Sequence, residues 1–266
     1  MIQQKELHFT AEIGINHNGD LKTAIKMIDS AIDCGFNSVK FQTYKTELRV
    51  KKNSPIFDIL KKCELSNKDF IKIKKYCDDK KIIFYSTPFD IDSAYFLNDL
   101  NVEYFKIASF DISNLKLVKL ISKFKKKTII STGMATKKEI DIVYNLFNKK
   151  KIIILHCVSA YPCPETESNL NKIRSLQNNY KCSIGISDHN TGINTSLYAR
   201  ALGAVFFEKH FMLKGQKCPD AAVSITPDLF TKLKKEINKL DLILGNGNYG
   251  ISKIEKEITQ FKRYSR

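Results

Sequence analysis

Eight short apolar, β-rich runs recur along the chain, at 8–13, 38–41, 82–85, 104–107, 128–130, 152–155, 183–186 and 205–207. Between them apolar positions return with helical period over 21–34, 67–79, 91–100, 115–124, 137–147 and 170–178. A last such segment, 229–244, follows the eighth run, and Gly192 and Asn194 open another that closes at Gly203. A strand followed by a helix, eight times over, is the count of an α/β fold of the (β/α)8 TIM-barrel type. A doubly wound sheet would need fewer strands or a second domain. No linker divides the chain before Gly245, where Gly245-Asn246-Gly247-Asn248-Tyr249-Gly250 breaks structure. The expected division is therefore a barrel domain over 1–245 and a charged tail over 246–266.

Polar residues gather where the runs end. The first closes in Glu12-Ile13-Gly14-Ile15-Asn16-His17-Asn18-Gly19, the second carries Lys40 and Gln42, and the third ends Ser86-Thr87-Pro88-Phe89-Asp90. The fourth carries Lys106 and ends Ser109-Phe110-Asp111, the fifth ends Ser131-Thr132-Gly133-Met134, and the sixth ends His156-Cys157-Val158-Ser159-Ala160-Tyr161-Pro162. The last two end Ser187-Asp188-His189 and Glu208-Lys209-His210. In a barrel these groups form a ring around the mouth at the C-terminal ends of the strands, where barrel active sites lie. Two imidazoles leaving neighbouring parallel strands, His189 and His210, suit a divalent metal with open positions, although no third ligand is adjacent in sequence.

Composition narrows the use of that mouth. The 266 residues are 43% hydrophobic and 11% aromatic, which is globular, and no run approaches a membrane span. Met1-Ile2-Gln3-Gln4-Lys5-Glu6 shows no signal-peptide core, and seven cysteines with no C-x-x-C pair suit a reducing cytoplasm. The net charge of +16 is almost all lysine; the arginines are Arg49, Arg174, Arg200, Arg263 and Arg266. Runs such as Lys125-Lys126-Lys127 and Lys149-Lys150-Lys151 read as solvated turns, not as a nucleic-acid face, which would cluster arginine with aromatics. An anionic small molecule is the better use for lysines that face inward, and no surplus arginine is expected near the mouth.

Each candidate has a plain structural alternative. Lys40 and Lys106 either extend outward from their strands or bind phosphate or carboxylate inside, since a buried lysine needs an anion. Ser109, Ser131 and Ser187 either cap the following helices or line an anion site. Glu12 either pairs with a barrel lysine or takes part in chemistry, and His17 and His156 either hydrogen-bond locally or ligate.

The stretches Ala11-Glu12-Ile13-Gly14-Ile15-Asn16-His17-Asn18-Gly19, Val39-Lys40-Phe41-Gln42-Thr43, Ser86-Thr87-Pro88-Phe89-Asp90, Ser131-Thr132-Gly133-Met134, His156-Cys157-Val158-Ser159-Ala160-Tyr161-Pro162, Gly185-Ile186-Ser187-Asp188-His189 and Glu208-Lys209-His210-Phe211 together resemble the N-acetylneuraminate (sialic acid) synthase family, which includes the legionaminic and pseudaminic acid synthases. The likeness spans essentially the whole chain. It implies a cytoplasmic, barrel-based transferase that condenses phosphoenolpyruvate with an open-chain N-acetyl amino sugar, N-acetylmannosamine or a relative, and releases phosphate. It implies a divalent metal on His189 and His210, Mn2+ before Mg2+ or Co2+. Lys40, Lys106, Ser109, Ser131 and Ser187 would cradle phosphoenolpyruvate, and Ser159 is a further substrate-binding residue. Gln42, Tyr161 and Asp220 would orient the sugar, with Glu12 and Asp111 as catalytic carboxylates. No nucleic acid or membrane is implied as a partner.

Three departures accompany the likeness. Asp111, behind Phe110, stands where the family commonly has glutamate, and the loop after His210 reads Met212-Leu213-Lys214 and then Cys218-Pro219-Asp220. The family appends an antifreeze-like domain whose arginine reaches a partner's site, whereas this chain stops at Lys262-Arg263-Tyr264-Ser265-Arg266. The expectations that follow are a homodimer, or a separate antifreeze-like protein supplying the domain, with slow condensation by the barrel alone; full activity without the domain would instead point to Lys214 or Lys217 as a substitute cation. The alternative function is a catalytically impaired barrel acting as a binding or assembly subunit.

Overall fold

The computed structural model describes residues 6–263. The readings that fall on Met1-Ile2-Gln3-Gln4-Lys5 and Tyr264-Ser265-Arg266 lie outside them. Eight strands, β1 (His8–Gly14), β2 (Ser38–Thr43), β3 (Ile83–Pro88), β4 (Tyr104–Ile107), β5 (Lys127–Ser131), β6 (Ile152–Cys157), β7 (Ser183–Asp188) and β8 (Phe206–His210), close in sequence order into a parallel barrel. This is the (β/α)8 TIM barrel the periodicity predicts, and β8 pairs with β1 to complete it. The outer helices are α1 (Leu21–Cys34), α4 (Asn67–Asp79), α5 (Ile91–Asp99), α6 (Leu115–Lys123), α7 (Lys137–Leu146), α8 (Asn171–Asn179), α9 (Asn194–Ala201) and α10 (Pro227–Leu244). Two short helices, α2 (Thr46–Arg49) and α3 (Phe57–Cys63), interrupt the β2–α4 connection.

Local chemistry sets these elements. Asp20 caps α1 by accepting from the Thr23 amide at 2.9 Å, and Gly35 ends it at φ 79°, a left-handed turn that suits glycine. Ser66 with Asp69 and Thr136 with Glu139 form capping boxes on α4 and α7. The helices bury their apolar stripes, such as Leu117, Val118 and Ile121 of α6, against the outer faces of the strands. Inside the barrel a separate cluster of Tyr85, Tyr104, Ile129, Leu155 and Phe206 plugs the lower half. Gly185 makes room for it, since a Cβ there would lie 2.1 Å from the Phe206 carbonyl oxygen and 2.8 Å from Leu155. Above that plug the inward positions turn polar.

The lysine-rich turns, including Lys125-Lys126-Lys127 and Lys151, gather around the N-terminal ends of the strands, away from the mouth. No helix among the described residues is long and apolar enough to cross a membrane. Cys34, Cys63, Cys77, Cys157, Cys163 and Cys218 are free thiols. After Gly245 the described chain is exposed and carries only a 3-10 turn over Lys256–Phe261.

Candidate active site

Registration brings the strand-end residues together. Glu12 pairs in register with Lys40 of β2 on one side and His210 of β8 on the other, while Ser187 stands beside Glu208. A register shift between Glu12 and Gly14 re-aims the end of β1 over the mouth. Gly14 sits at φ 54°, a conformation that favours glycine, and a Cβ there would come within 2.9 Å of Glu12 Oε1. The result is a cavity of about 380 Å³ lined by Glu12, Lys40, Gln42, Lys106, Ser109, Ser131, Tyr161, Ser187, His189, Glu208, His210 and Asp220, among others.

Its floor is a buried charge quartet. Lys40 donates to Glu12 and lies 4.0 Å from Glu208; Lys106 donates to Glu208 Oε1 at 2.9 Å, and Ser187 donates to the same oxygen at 3.0 Å. All four charged groups are at most 5% exposed, so the lysines do not extend outward. Their need for an anion is met within the barrel by two glutamates. Burial raises Glu12, and the neighbouring Glu208 charge adds to it, against the pull of Lys40. Burial also acts on Glu208, but Lys106 and Lys40 outweigh it and hold that carboxyl at about 2. Burial pulls Lys106 down despite its partner, whereas the two carboxylates keep Lys40 high.

The serines are not helix caps. Asn114 caps α6 and Thr136 caps α7, and the residue before α9, Ile193, makes no side-chain cap. Ser131 Oγ and Ser159 Oγ are buried with no hydrogen-bond partner, as is Glu12 Oε1. Ser109 Oγ accepts from the Gly133 amide at 3.0 Å, and a Cβ on Gly133 would meet Ser159 Oγ at 2.3 Å and Ser109 Oγ at 2.8 Å. Unpaired buried hydroxyls beside a lysine form a polar recess suited to an anionic oxygen.

Above this floor stand the histidines, with ring centroids 5.6 Å apart. His189 Nδ1 donates to the Val158 carbonyl at 2.8 Å, which fixes its tautomer and leaves Nε2 with a free lone pair. Asp220 Oδ2 is 3.3 Å from His210 Nδ1 but off line, so that nitrogen is buried without a hydrogen-bond partner. Two imidazole lone pairs near an orphaned carboxylate oxygen fit a divalent cation by donor chemistry. Among the described residues no three His, Cys, Asp or Glu side chains are preassembled as a complete metal cluster. His17 and His156 take their structural alternative: the first accepts from the Gly19 amide at 3.0 Å, the second bonds the Ser168 carbonyl at 2.7 Å, and burial lowers both.

The remaining candidates divide. Gln42, Tyr161 and Asp220 line the upper cavity, with the Tyr161 ring 4.1 Å from that of His189. Asp111 and Ser159 do not line the cavity; Asp111 follows Phe110, which does, and burial raises its carboxyl. Lys214 is exposed and pairs with Asp228 at 3.2 Å, and neither it nor Lys217 lines the cavity. Two charged lining residues, Glu208 and Arg49, carry no role in the sequence reading. Glu208 is legible in principle, since residues two apart in a strand share a face and His210 faces inward. Arg49 corrects the expectation that no surplus arginine stands near the mouth: α2 follows the C-terminal end of β2 and delivers it to the rim.

Comparison with known proteins agrees with this geometry. A NeuB family model matches residues 27–249. N,N'-diacetyllegionaminic acid synthase of Campylobacter jejuni is 38% identical over 284 aligned residues, covering 98% of this chain and 84% of that protein. Human N-acetylneuraminate-9-phosphate synthase is 31% identical over 255, covering 89% and 70%. Among solved structures, the N-acetylneuraminic acid (sialic acid) synthetase of Leptospira borgpetersenii superposes with a TM-score of 0.91 at 36% identity, over 97% of this chain and 91% of that one.

Proposed function

The chain belongs to the NeuB family of synthases, and from that premise we propose that it condenses phosphoenolpyruvate with an N-acetylated hexosamine to give a nine-carbon, sialic-acid-like sugar acid and phosphate. The observation that carries this reading is the unpaired buried hydroxyl of Ser131, which lines the cavity together with Lys106 and Ser109. Together these groups offer donors for a phosphate and a carboxylate without requiring the lysines to lose their glutamates. Gln42, Tyr161 and Asp220 form the upper half, where an acceptor sugar would be oriented.

His189 and His210 would hold a divalent metal, manganese by the family resemblance, and when bound it supplies Lewis-acid polarisation of the acceptor aldehyde. The carbon–carbon bond forms between C3 of the enol and that aldehyde carbon. Positive charge then develops at C2, water adds there, and the hemiketal phosphate collapses with C–O cleavage to release phosphate. Two carboxylates pushed apart in acidity divide the proton work. Glu208, held ionised by two lysines, stays as fixed negative charge. Glu12, raised by burial and with one oxygen unpaired, exchanges the proton of the adding water. Asp111, outside the cavity lining, is the weaker candidate for that step.

The test is a phosphate-release assay with phosphoenolpyruvate, Mn2+ and a panel of acetamido hexoses, with product mass as a second readout. Release should require both the sugar and the metal. Release without sugar, or none with any acetamido sugar, would remove this reading.

A further inference from the structure

Below the charge quartet the barrel core carries polar groups that the scheme above does not use. Thr10 and Ser38 face each other in register on β1 and β2, fully buried, with hydroxyl oxygens 2.7 Å apart. Ser38 Oγ also lies 2.8 Å from His8 Nε2, and Thr10 Oγ1 lies 3.0 Å from Tyr85 Oη. Tyr85 Oη in turn reaches Glu208 Oε2 at 3.4 Å. A continuous column therefore runs from His8, at the start of β1, to the floor of the candidate site. Apolar residues would fill these positions at lower cost, since a buried hydroxyl loses its water. The rings beside the column do join the apolar plug. His8 stacks on Phe206 with centroids 4.4 Å apart, and Tyr85 meets Tyr104 edge-on at 5.7 Å.

The column has a direction. A hydroxyl holds one proton, so Ser38, Thr10 and Tyr85 can each donate to only one of two neighbours. Run towards His8, the column has Tyr85 donating to Thr10, and Glu208 Oε2 is left with no hydrogen-bond donor among the described residues. Run towards Glu208, His8 donates to Ser38, Ser38 to Thr10, Thr10 to Tyr85 and Tyr85 to the carboxylate, and every proton meets an acceptor. The carboxylate, ion-paired with Lys106 at 2.9 Å, selects the second sense. A bond to a charged acceptor is the stronger one, and it polarises the chain behind it. Burial and the Glu208 charge keep the Tyr85 hydroxyl protonated well above its ordinary range. Burial, with Lys127 nearby, holds His8 at about 4, so its ring is neutral and carries one N–H.

Glu208 needs this second anchor. Its Oε1 already holds Lys106 and Ser187, both of which line the cavity. An entering anion repels the carboxylate and competes for that lysine, and the bond to Oε2 is what fixes the rotation of the carboxylate plane.

We propose that the column of His8, Ser38, Thr10 and Tyr85 directs its protons at Glu208, and that Tyr85 is a positioning residue that keeps Lys106 and Ser187 aimed at the phosphoenolpyruvate anion. This rests on the condensation reading and adds to it a residue that does not line the cavity.

The test reads both ends of the column. Nitrogen NMR shifts of the His8 ring at neutral pH, assigned by their loss in His8→Phe, should place the proton on Nε2 in wild-type protein. Tyr85→Phe keeps the ring and removes the last donor. Thr10 then has only Ser38 to bond, the column reverses, and the His8 proton should move to Nδ1. The same variant should raise the KM of phosphoenolpyruvate about fivefold, the effect of one lost hydrogen bond, with the KM of the acceptor sugar unchanged. Thr10→Val breaks the column in its middle and leaves Tyr85 only Glu208 to bond. It should also move the His8 proton to Nδ1, but with the phosphoenolpyruvate KM at its wild-type value. A raised KM in both variants would mean general damage to the core and overturn the proposal. So would a wild-type proton on Nδ1, or an unchanged phosphoenolpyruvate KM in Tyr85→Phe. If no acetamido sugar turns over, the condensation reading fails, and the column is judged by calorimetry with inorganic phosphate. Phosphate should bind wild-type protein and bind Tyr85→Phe about fivefold more weakly; equal binding, or none to wild type, overturns the column.

Discussion

A buried hydroxyl with nothing to bond is a cost that folding alone does not explain, and Ser131 carries one at 2% exposure. Replacing it by alanine removes an unsatisfied group without opening a large void. Ser131→Ala should therefore leave the melting temperature unchanged or raise it, by no more than about 1 kcal/mol in stability. The same change should weaken phosphoenolpyruvate, seen as a raised KM or a poorer calorimetric fit. A stability loss with unchanged substrate affinity would make the serine structural. His17 makes the opposite case, a polar group kept for the fold. Buried and 1% exposed, it is lowered from 6.5 to about 4. The unfolded chain takes up that proton near pH 6.5 and the folded one resists it, so stability is full above 6.5 and falls as pH drops toward 4. The share of His17 is on the order of 3 kcal/mol. Carboxylates such as Glu64, held at about 2, keep their full stabilisation above about 4.5 and lose it only below, so they enter that window only at its acid end. Melting curves from pH 7 to 4 should slope less steeply for His17→Gln; an equal slope would locate the acid sensitivity elsewhere.

At the level of elements, apolar period carries most of the fold. α1 and α4 occupy the ranges 21–34 and 67–79 that their periodicity marks, and β4 spans 104–107. Most of the other strands run further toward the mouth than their apolar runs. Ser131, Cys157, Ser187-Asp188 and Glu208-Lys209-His210 continue the ladders after hydrophobicity has lapsed. Sheet hydrogen bonds are made by backbone, so side-chain polarity hides a strand end without ending it. That is also why the site was legible: a polar residue inside a strand is anomalous unless something inside the barrel needs it. The β2–α4 connection was not legible, because helices of four and seven residues are too short to show a period. Arg49 was lost with it. Glu208 was lost for a different reason: flanked by Lys209 and His210 it reads as one member of a charged tripeptide, and only strand pairing shows that it faces Lys106 while Lys209 turns outward to Asp188.

For the molecule as a whole, the barrel axis holds two lysines and two glutamates that balance one another, so the whole net charge of +16 lies elsewhere on the chain. A balanced buried quartet is sensitive to the loss of one member, because the partners are left charged in a dry interior. Glu208→Gln removes the anion shared by Lys106 and Lys40 and leaves Glu12 against two cations. The variant should lose about 3 kcal/mol, or roughly 6–12 °C in melting temperature. Its excess positive charge should also attract an anion to the floor more strongly than wild type does. At about ten times its Kd, inorganic phosphate stabilises by about 1.4 kcal/mol, whichever chain it binds. The variant should reach that level at lower phosphate, so across a titration it should gain more melting temperature than wild type, with chloride at matched ionic strength as the control. If phosphate stabilises both proteins equally at every concentration, the anion site does not include the lysine pair, and the cavity hydroxyls such as Ser131 must hold it without them. If it stabilises the variant more, the lysines that the glutamates pair with are also the ones that meet substrate phosphate.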